Sequence, residues 1–293
     1  MKKDFLIISN KKSRAANNVF DQFKKDFNTD ILFISDIGNY NPHNKEYKNI
    51  ILCSGGFNQA CFDLMEDNFK ESFLIQHDTT DSEDVQKFLP NRIPNLIFQR
   101  ELTNNTKNIF PNVPIEPVHF AINSIYDEAY QNKDIDVSMM LTMTNPRRAP
   151  FVEHALKIAK DKLSHLNWHI KITPQSVHTP NIYKQVCNRS KIGLHYFGNS
   201  YDSIRIWELA STKTAIIMPK LRLKSTMNDH MPFNHYQEIN DNFLDLEEKI
   251  IHLLENNRWK SLAEKSFNDY NENHNPAKCY EKYCEVLKRH DVI

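Results

Sequence analysis

Residues 191–219 constrain the fold of this chain more than any other stretch. Apolar runs predict a short strand at 192–196 and a second at 214–218, with a helix from about Ser203 between them. A strand, a loop, a helix and another strand form a crossover unit, which joins parallel strands. The stretch therefore indicates a parallel sheet, whose ligands bind at the carboxyl ends of the strands.

The helix in this stretch carries two charged side chains of opposite sign. Arg205 and Glu208 are three residues apart, so they share one helix face near its start. A guanidinium can fork onto phosphate oxygens, and a carboxylate can accept hydrogen bonds from two ribose hydroxyls. The spacing is equally compatible with an exposed ion pair, so it leaves both interpretations open.

The same alternation of strands and helices fills the rest of the chain. Further strands are predicted at residues 5–9, 31–35, 50–53, 73–76, 96–99, 117–122, 137–142 and 168–172. Amphipathic helices are predicted at 13–27, 57–69, 150–163, 181–188, 243–254, 259–270 and 276–288. A polar segment at 123–134 separates two series and is predicted to be a linker. The pattern is typical of an α/β protein with two parallel sheets.

Composition narrows the class of protein. Thirty-seven basic and thirty-seven acidic residues balance, so no overall field draws in DNA or an anionic membrane. The five cysteines form no C-x-x-C pair, and reduced thiols are expected. No apolar run approaches the roughly 20 residues of a membrane span. We expect a cytoplasmic protein without a transmembrane segment, and leave peripheral membrane association open.

Several segments in order resemble the donor-binding domain of GT-B glycosyltransferases, in particular the CgeB-like group and the family-4 sugar transferases. They are NPRR at 145–148, YKQVCNRSKIGL at 183–194 and DSIRIWELA at 202–210. The resemblance implies two Rossmann-like domains whose parallel sheets face each other across a cleft. It places an acceptor-side domain at 1–132, a nucleotide-sugar-binding domain at 133–275, and a C-terminal helix at 276–293 that is expected to pack back on the first domain.

The resemblance also implies roles for single residues at the donor site. Glu208 matches a glutamate that binds the nucleotide ribose, and Arg205 matches an arginine directed at the donor phosphates. Arg147 and Arg148 precede a predicted helix, whose start favours a diphosphate, although they also fit a solvated pair in a turn. Ser200 occupies a position where family-4 enzymes usually carry a second glutamate, and is kept among the donor-binding residues.

A second resemblance connects the Arg-x-Trp-Glu segment with phage DNA β-glucosyltransferases. In those enzymes a strand of the first domain ends in a catalytic aspartate, which Asp78 would match. Its neighbour His77 is a second candidate base, because an ordinary histidine titrates near neutral pH. Asp78 also fits a helix cap or turn, and His77 also fits a packed core histidine.

Taken together, these features predict a metal-independent glycosyltransferase, of the hexosyltransferase or a related class. The co-substrate is expected to be a UDP- or GDP-linked nucleotide sugar, without another cofactor, and the acceptor a hydroxyl of a glycan, lipid or protein. Two alternatives are kept: a phage-type enzyme that glycosylates a hydroxymethylated base in DNA, which the balanced charge disfavours, and a catalytically silent GT-B-like protein that binds a nucleotide or glycan.

The sequence also contains an acidic pair before the second domain and a local cluster of basic residues. Asp134 and Asp136 resemble the Asp-x-Asp motif of metal-dependent GT-A transferases, but they precede the first strand of the second domain and are interpreted as linker. A basic cluster could bind an anionic acceptor or a membrane surface, or simply be a solvated loop; it consists of Lys213, Lys220, Arg222 and Lys224.

Overall fold

The computed structural model describes residues 2–9, 14–42, 46–53, 57–79, 84–100, 102–119, 121–130, 132–174, 180–199, 201–223 and 234–293. The chain divides into two compact units. The first comprises Met1–Ala121, Leu223–Pro232 and Pro276–Ile293, and the second comprises Ile122–Arg222 and Phe233–Asn275.

The described strands are β1 (Lys2–Ser9), β2 (Thr29–Phe33), β3 (Glu46–Cys53), β4 (Phe73–Asp78), β5 (Leu96–Gln99), β6 (Ile115–Pro117), β7 (Ile135–Thr142), β8 (Trp168–Thr173), β9 (Ser190–Leu194), β10 (Ala215–Pro219) and β11 (Gln237–Ile239). The described α-helices are α1 (Arg14–Asp26), α2 (Gln59–Asn68), α3 (Ala149–Asp161), α4 (Pro180–Arg189), α5 (Ile204–Ala210), α6 (Leu246–Leu254), α7 (Arg258–Asp269) and α8 (Pro276–Arg289).

The first unit is built on a parallel sheet with the strand order β2-β1-β3-β4-β5-β6. Phe20 and Phe23 of α1 are buried against Phe5 of β1, as their helical spacing predicts. Helix α8 belongs to this unit, where Tyr283 and Leu287 enter the same apolar cluster. Helix α8 thus completes the apolar core that contains β1 and α1.

The second unit is built on a parallel sheet with the order β11-β10-β9-β7-β8. Phe151, Ala155 and Ile158 lie three or four residues apart along α3 and are buried in one cluster with the sheet. Trp259 of α7 and Ile250 of α6 join that cluster. The carboxyl ends of β7, β9 and β10 open on one edge, where side chains from their following loops meet.

The structure departs from the sequence-based strands in two places. The strand expected at 117–122 lies instead at Ile115–Pro117, and Ala121 and Ile122 are buried outside it. That apolar run therefore reflects burial without strand pairing. Strand β11 was not expected, because its three residues hold only one buried apolar side chain, Ile239. No helix in the described ranges is long and apolar enough to cross a membrane.

Candidate functional site

Helix α5 begins shortly after the carboxyl end of β9 and is fixed by its buried side. Ile206, Trp207 and Leu209 are buried, whereas Arg205 and Glu208 are only partly buried. The indole Nε1 of Trp207 donates a 2.8 Å hydrogen bond to Asp202 Oδ1. The indole also stacks on the His274 ring, with centroids 4.4 Å apart. This anchoring orients the face that carries the charged pair.

The charged pair of α5 meets Tyr183, a buried residue of α4. The Arg205 guanidinium lies over the Tyr183 ring, 4.7 Å from its centroid. The Tyr183 hydroxyl hydrogen-bonds to Glu208. Burial raises the pKa of the Glu208 carboxyl, and the nearby Arg205 charge and the Tyr183 hydrogen bond oppose that rise. Arg205, Tyr183 and Glu208 thus form one half-buried group able to hold polar ligand atoms.

Sequence reasoning did not single out Tyr183 as a site residue. The available signal was its spacing from Cys187, because the two residues lie four apart on α4 and both are buried. That spacing predicts a helix face turned toward the protein interior. It does not reveal which side chains of α5 lie opposite.

Arg148 is buried and holds two loops of this edge together. Its Nη1 donates to the Thr142 carbonyl at 2.7 Å, its Nη2 to the Tyr196 carbonyl at 3.2 Å, and its Nε to the Phe197 carbonyl at 3.1 Å. The guanidinium therefore joins the end of β7 to the loop after β9. These carbonyls occupy most of the N–H donors of Arg148, and a diphosphate-binding role for this residue stays a prediction.

Asn145 and Gly198 complete the junction of these loops. The Asn145 Nδ2 donates to the Gly198 carbonyl at 2.7 Å, and its Oδ1 accepts from the Arg147 N–H at 2.9 Å. A Cβ on Gly198 would lie 2.9 Å from Arg148 Nη2, so this close approach requires glycine. The Arg147 side chain is exposed at the same edge and remains available to a ligand.

His195 follows β9 and was not considered in the sequence-based site. Its side chain is fully buried, and neither ring nitrogen has a hydrogen-bond partner in the part of the chain that the structure describes. Burial, together with the charges of Arg148 and Arg205, lowers its pKa well below the usual range. The imidazole therefore stays neutral between two cations.

His77 and Asp78 lie at the carboxyl end of β4 in the first unit, and both are buried. The His77 ring packs against Phe20 with centroids 5.3 Å apart, and its Nδ1 lies 3.3 Å from the Tyr283 hydroxyl. Burial lowers the pKa of His77 to about 3. The expectation that His77 titrates near neutrality is therefore wrong, because an apolar environment disfavours its charged form.

Other expected residues are placed as follows. Ser200 and Lys224 lie outside the described residues. Asp134 pairs with Arg189, whose hydrogen bond lowers the pKa of the carboxyl. Asp136 lies within β7 and not in a linker, and its Oδ1 is 2.6 Å from Lys191 Nζ. The Asp-x-Asp carboxylates are thus engaged by cations of the same unit.

Comparison with models of protein families gives no match, and neither does comparison with curated protein sequences. Solved structures do match. The DNA-modifying β-glucosyltransferase, solved with and without uridine diphosphoglucose, has a TM-score of 0.58 at 13% identity, over 99% of this chain and 100% of that one. A glycosyltransferase from Rickettsia africae has a TM-score of 0.57 at 12% identity, over 98% of each chain.

A longer protein also matches. TarM has a TM-score of 0.50 at 14% identity over 81% of this chain, which spans only 54% of the TarM chain. At such identities the likeness shows the fold alone. The chain has the GT-B fold of glycosyltransferases, an α/β fold with two Rossmann-like parallel sheets, which confirms the predicted fold class.

Proposed function

We propose that this protein is a glycosyltransferase that moves a sugar from a UDP- or GDP-linked donor to a hydroxyl group without a metal ion. The observation that carries the proposal is the group formed by Tyr183 of α4 with Arg205 and Glu208 of α5. It lies at the carboxyl edge of a parallel sheet, where α/β folds bind their ligands. The likeness to family-4 and CgeB-like enzymes is part of the same proposal.

Each member of the group has a role that its chemistry suits. Glu208 accepts hydrogen bonds from the ribose hydroxyls, and Tyr183 holds that carboxylate in place by its own hydrogen bond. Arg205 and the exposed Arg147 neutralise the diphosphate, on which charge develops as the sugar departs. Because the group is half-buried, these charges are screened less by water than on an open surface.

The proposal keeps Asp78 as the base that accepts the proton of the acceptor hydroxyl, as the phage-enzyme resemblance implies. Asp78 is fully buried at the carboxyl end of β4, and a carboxylate within hydrogen-bond reach of a hydroxyl can accept its proton. His77 has no place in the proposal, because burial lowers its pKa to about 3 and so makes the imidazole a weak base.

We propose a glycan, lipid or protein hydroxyl as the acceptor, in preference to DNA. The balanced charge of the chain supports this choice, because enzymes acting on DNA usually need a basic surface. The DNA alternative and the catalytically silent alternative become outcomes of the experiment.

The test combines donor binding with turnover. Wild-type protein is titrated with UDP and GDP by calorimetry, and hydrolysis or transfer from UDP- and GDP-sugars is measured by nucleotide release. Glu208→Gln is expected to weaken nucleotide binding at least about tenfold, because hydrogen bonds to a charged group contribute about 1.5–3 kcal/mol. Asp78→Asn is expected to retain nucleotide affinity and lose turnover.

The matched control is Glu281→Gln. Glu281 also lies three residues from a cation on a helix, Lys278, but that pair is exposed and belongs to the first unit. The control is expected to leave nucleotide affinity unchanged. If wild type binds neither nucleotide, the donor site is wrong. Binding without turnover of any nucleotide sugar would favour the silent protein, and transfer to hydroxymethylated DNA alone would favour the phage-type enzyme.

A further inference from the structure

Lys133 lies two residues before β7, and its ammonium joins the ends of the two helices that carry the proposed donor group. Its Nζ donates a 2.8 Å hydrogen bond to the Asn188 carbonyl, in the last turn of α4. It also donates to the Thr212 carbonyl at 3.1 Å, two residues beyond the end of α5, and to Thr214 Oγ1 at 3.3 Å. One side chain thus bridges the carboxyl ends of α4 and α5.

The ends of two helices are a favourable place for a cation. The last carbonyls of a helix have no partner within it and carry a partial negative charge. In the described part of the chain, the hydrogen-bond partners of Lys133 Nζ are all neutral oxygens. The carboxylates of Asp127 and Asp134 pair instead with Lys184 and Arg189. The ammonium is therefore held by the helix ends and not by an ion pair.

The backbone of the segment before β7 also binds both helix ends. The Ile125 N–H donates to Ser211 Oγ at 3.4 Å, at the end of α5. The Ile125 carbonyl accepts from Asn188 Nδ2 at 2.8 Å, and the Asp127 N–H donates to Asn188 Oδ1 at 2.9 Å, at the end of α4. The contacts of the Lys133 side chain are thus part of a larger junction between this segment and the two helices.

The helix ends lie one to two turns from the residues of the proposed donor group. Tyr183 is five residues before Asn188, and Glu208 is four residues before Thr212, or about 6–8 Å along a helix axis. The Tyr183 hydroxyl bonds Glu208 between the two helices, so their separation decides whether this bond can form. Both carbonyls held by Lys133 come shortly before β9 and β10, at the amino edge of the sheet. Lys133 therefore acts from the edge opposite to the proposed ligand.

We propose that Lys133 is a positioning residue for the nucleotide, because its ammonium sets the separation of α4 and α5 and so the geometry of the Tyr183–Glu208 hydrogen bond. The effect on helix separation stands on the contacts of the ammonium, and the effect on nucleotide binding rests on the proposed function. An ammonium has three N–H donors for the three oxygens. The neutral amine has two donors and a lone pair, so it can bind only two of them.

Lys133 should lose its charge in the weakly alkaline range. Burial lowers its pKa to about 8, while Cys187 of α4 opposes this shift and the charge of Lys213, after α5, adds to it. Lys213 itself pairs with Glu264 of α7. Burial raises the pKa of the Cys187 thiol to about 12, so this neighbour stays neutral over the same range. Nucleotide affinity should therefore fall as the pH rises through 8.

The first test is titration of wild type, Lys133→Met and Lys133→Arg with UDP by calorimetry at pH 7 and pH 8.5. Wild-type affinity is expected to fall about threefold to fourfold over this interval, as a pKa of about 8 implies. Lys133→Met should bind UDP at least about tenfold more weakly at pH 7, without a further fall at pH 8.5. Lys133→Arg keeps its charge at both pH values, so it should restore most of the affinity and abolish the pH dependence.

The matched control is Lys184→Met. Lys184 is also a lysine of α4 that meets the segment before β7, where its Nζ is 3.5 Å from Asp127 Oδ2, but both side chains are exposed. This variant should keep the UDP affinity and the pH profile of wild type. A loss as large as that of Lys133→Met would mean that any cation on α4 has this effect, and would overturn the proposal.

The second test measures the helix contact without a nucleotide. Cys187 is fully buried on α4, and its carbonyl accepts from Thr214 Oγ1 at 2.8 Å, next to the Lys133 ammonium. Thiol labelling followed by mass spectrometry reports how often this cysteine becomes accessible. Lys133→Met should label Cys187 at least about tenfold faster than wild type, because local opening exposes it. Cys53, fully buried in the first unit, is the internal control and should label at an unchanged rate.

The outcomes separate the parts of the proposal. Equal Cys187 labelling in wild type and Lys133→Met overturns the effect on helix separation, and equal UDP affinity overturns the effect on the nucleotide. If Lys133→Met also labels Cys53 rapidly, it is unfolded, and a wild-type affinity that does not change between pH 7 and pH 8.5 then overturns the proposal. Failure of wild type to bind UDP counts against the proposed function, whereas faster Cys187 labelling in Lys133→Met still supports the effect on helix separation.

Discussion

Burial shifts the pKa values of two ionisable residues that the sequence indicated as site residues, Glu208 and His77. Both side chains are desolvated by the surrounding protein, and desolvation shifts their two pKa values in opposite directions. Burial raises the pKa of the Glu208 carboxyl and lowers that of the His77 imidazole to about 3. Glu208 keeps a cation and a hydrogen-bond donor beside it, which suits a ligand-binding carboxylate. His77 has aromatic rings around it, which suits a neutral core residue.

His77 should make the protein less stable in acid. Its pKa in the folded state lies below the value of about 6.5 in the unfolded chain, so the unfolded state takes up the proton first. The stabilising effect of the neutral form is therefore complete above pH 7 and is lost as the pH falls toward 3. Between pH 7 and 5.5 we expect His77 to account for a loss of about 1 kcal/mol in the free energy of unfolding.

The double variant His77→Phe/Tyr283→Phe should lose this part of the pH dependence. It removes both polar partners at once, so neither is left buried alone. The measurement is urea unfolding at several pH values, with Tyr283→Phe alone as the control because it retains the imidazole. Equal acid sensitivity of all three proteins would contradict this prediction. It would show that the pKa of His77 in the folded state is close to its value in the unfolded chain.

At the scale of residues the sequence predicted that Arg205 and Glu208 share one helix face, but not which side chains surround them. The spacing of Arg205 and Glu208 was sufficient, because three residues along a helix always share a face. Tyr183, His195 and the bonds of Arg148 depend on which loop ends meet at the sheet edge. No local sequence pattern predicts which loops come together at that edge, because this depends on how strands that are distant in sequence pair in the sheet.

At the scale of elements, the position of α5 depends on a close approach to β9. A Cβ on Gly193 would lie 2.7 Å from Leu209 Cδ2 and 3.3 Å from Thr214 Cγ2. Leu209 belongs to α5, so glycine in the strand lets the helix lie close to the sheet. The direction of the Arg205 and Glu208 face follows from that contact.

Gly193→Ala should therefore affect both stability and the proposed site. Overpacking of this kind costs about 1–3 kcal/mol, and a displaced α5 should weaken UDP binding. Leu209→Ala should lower the free energy of unfolding less in the Gly193→Ala variant than in wild type, because the added methyl group fills part of the space that the leucine side chain leaves. We expect a coupling free energy of at least about 1 kcal/mol between the two substitutions. Chemical unfolding of the four proteins of the cycle gives this value.

Gly38→Ala is the control for this cycle, because a Cβ there meets nothing within 4 Å. It should change the free energy of unfolding by no more than about 0.5 kcal/mol. Strictly additive effects of Gly193→Ala and Leu209→Ala would mean that the strand and helix adjust independently.

Most elements could be predicted from sequence because their apolar residues repeat with the period of a helix or a buried strand. Helix α1 and strand β5 show this well, since the predicted residues 13–27 and 96–99 match Arg14–Asp26 and Leu96–Gln99. Strand β11 could not be found, because three residues give no period. Strand β6 was misplaced because the burial of Ala121 and Ile122 comes from loop packing.

At the scale of the whole molecule, the balance of charge bears on the choice of acceptor. DNA-binding proteins gain much of their affinity by neutralising phosphates and releasing counterions, which requires an excess of basic side chains over a broad surface. This chain has thirty-seven basic and thirty-seven acidic residues. A pocket of about 130 Å³ lined by Arg147, Lys220 and Arg222 is a local exception, and its size suits one phosphoryl group and not a duplex.

We therefore expect the protein to bind duplex DNA weakly, with a dissociation constant above about 100 μM at 150 mM salt, at the weak end of non-specific binding. Fluorescence anisotropy with a labelled duplex containing hydroxymethylcytosine, with and without UDP, measures this. The double variant Lys220→Gln/Arg222→Gln should bind DNA no differently from wild type, because the two side chains line a single pocket, which contacts few phosphates. Micromolar affinity that falls steeply with salt would reverse the preference and make a hydroxymethylated base in DNA the first acceptor to assay, since that salt dependence reports several phosphate contacts at once.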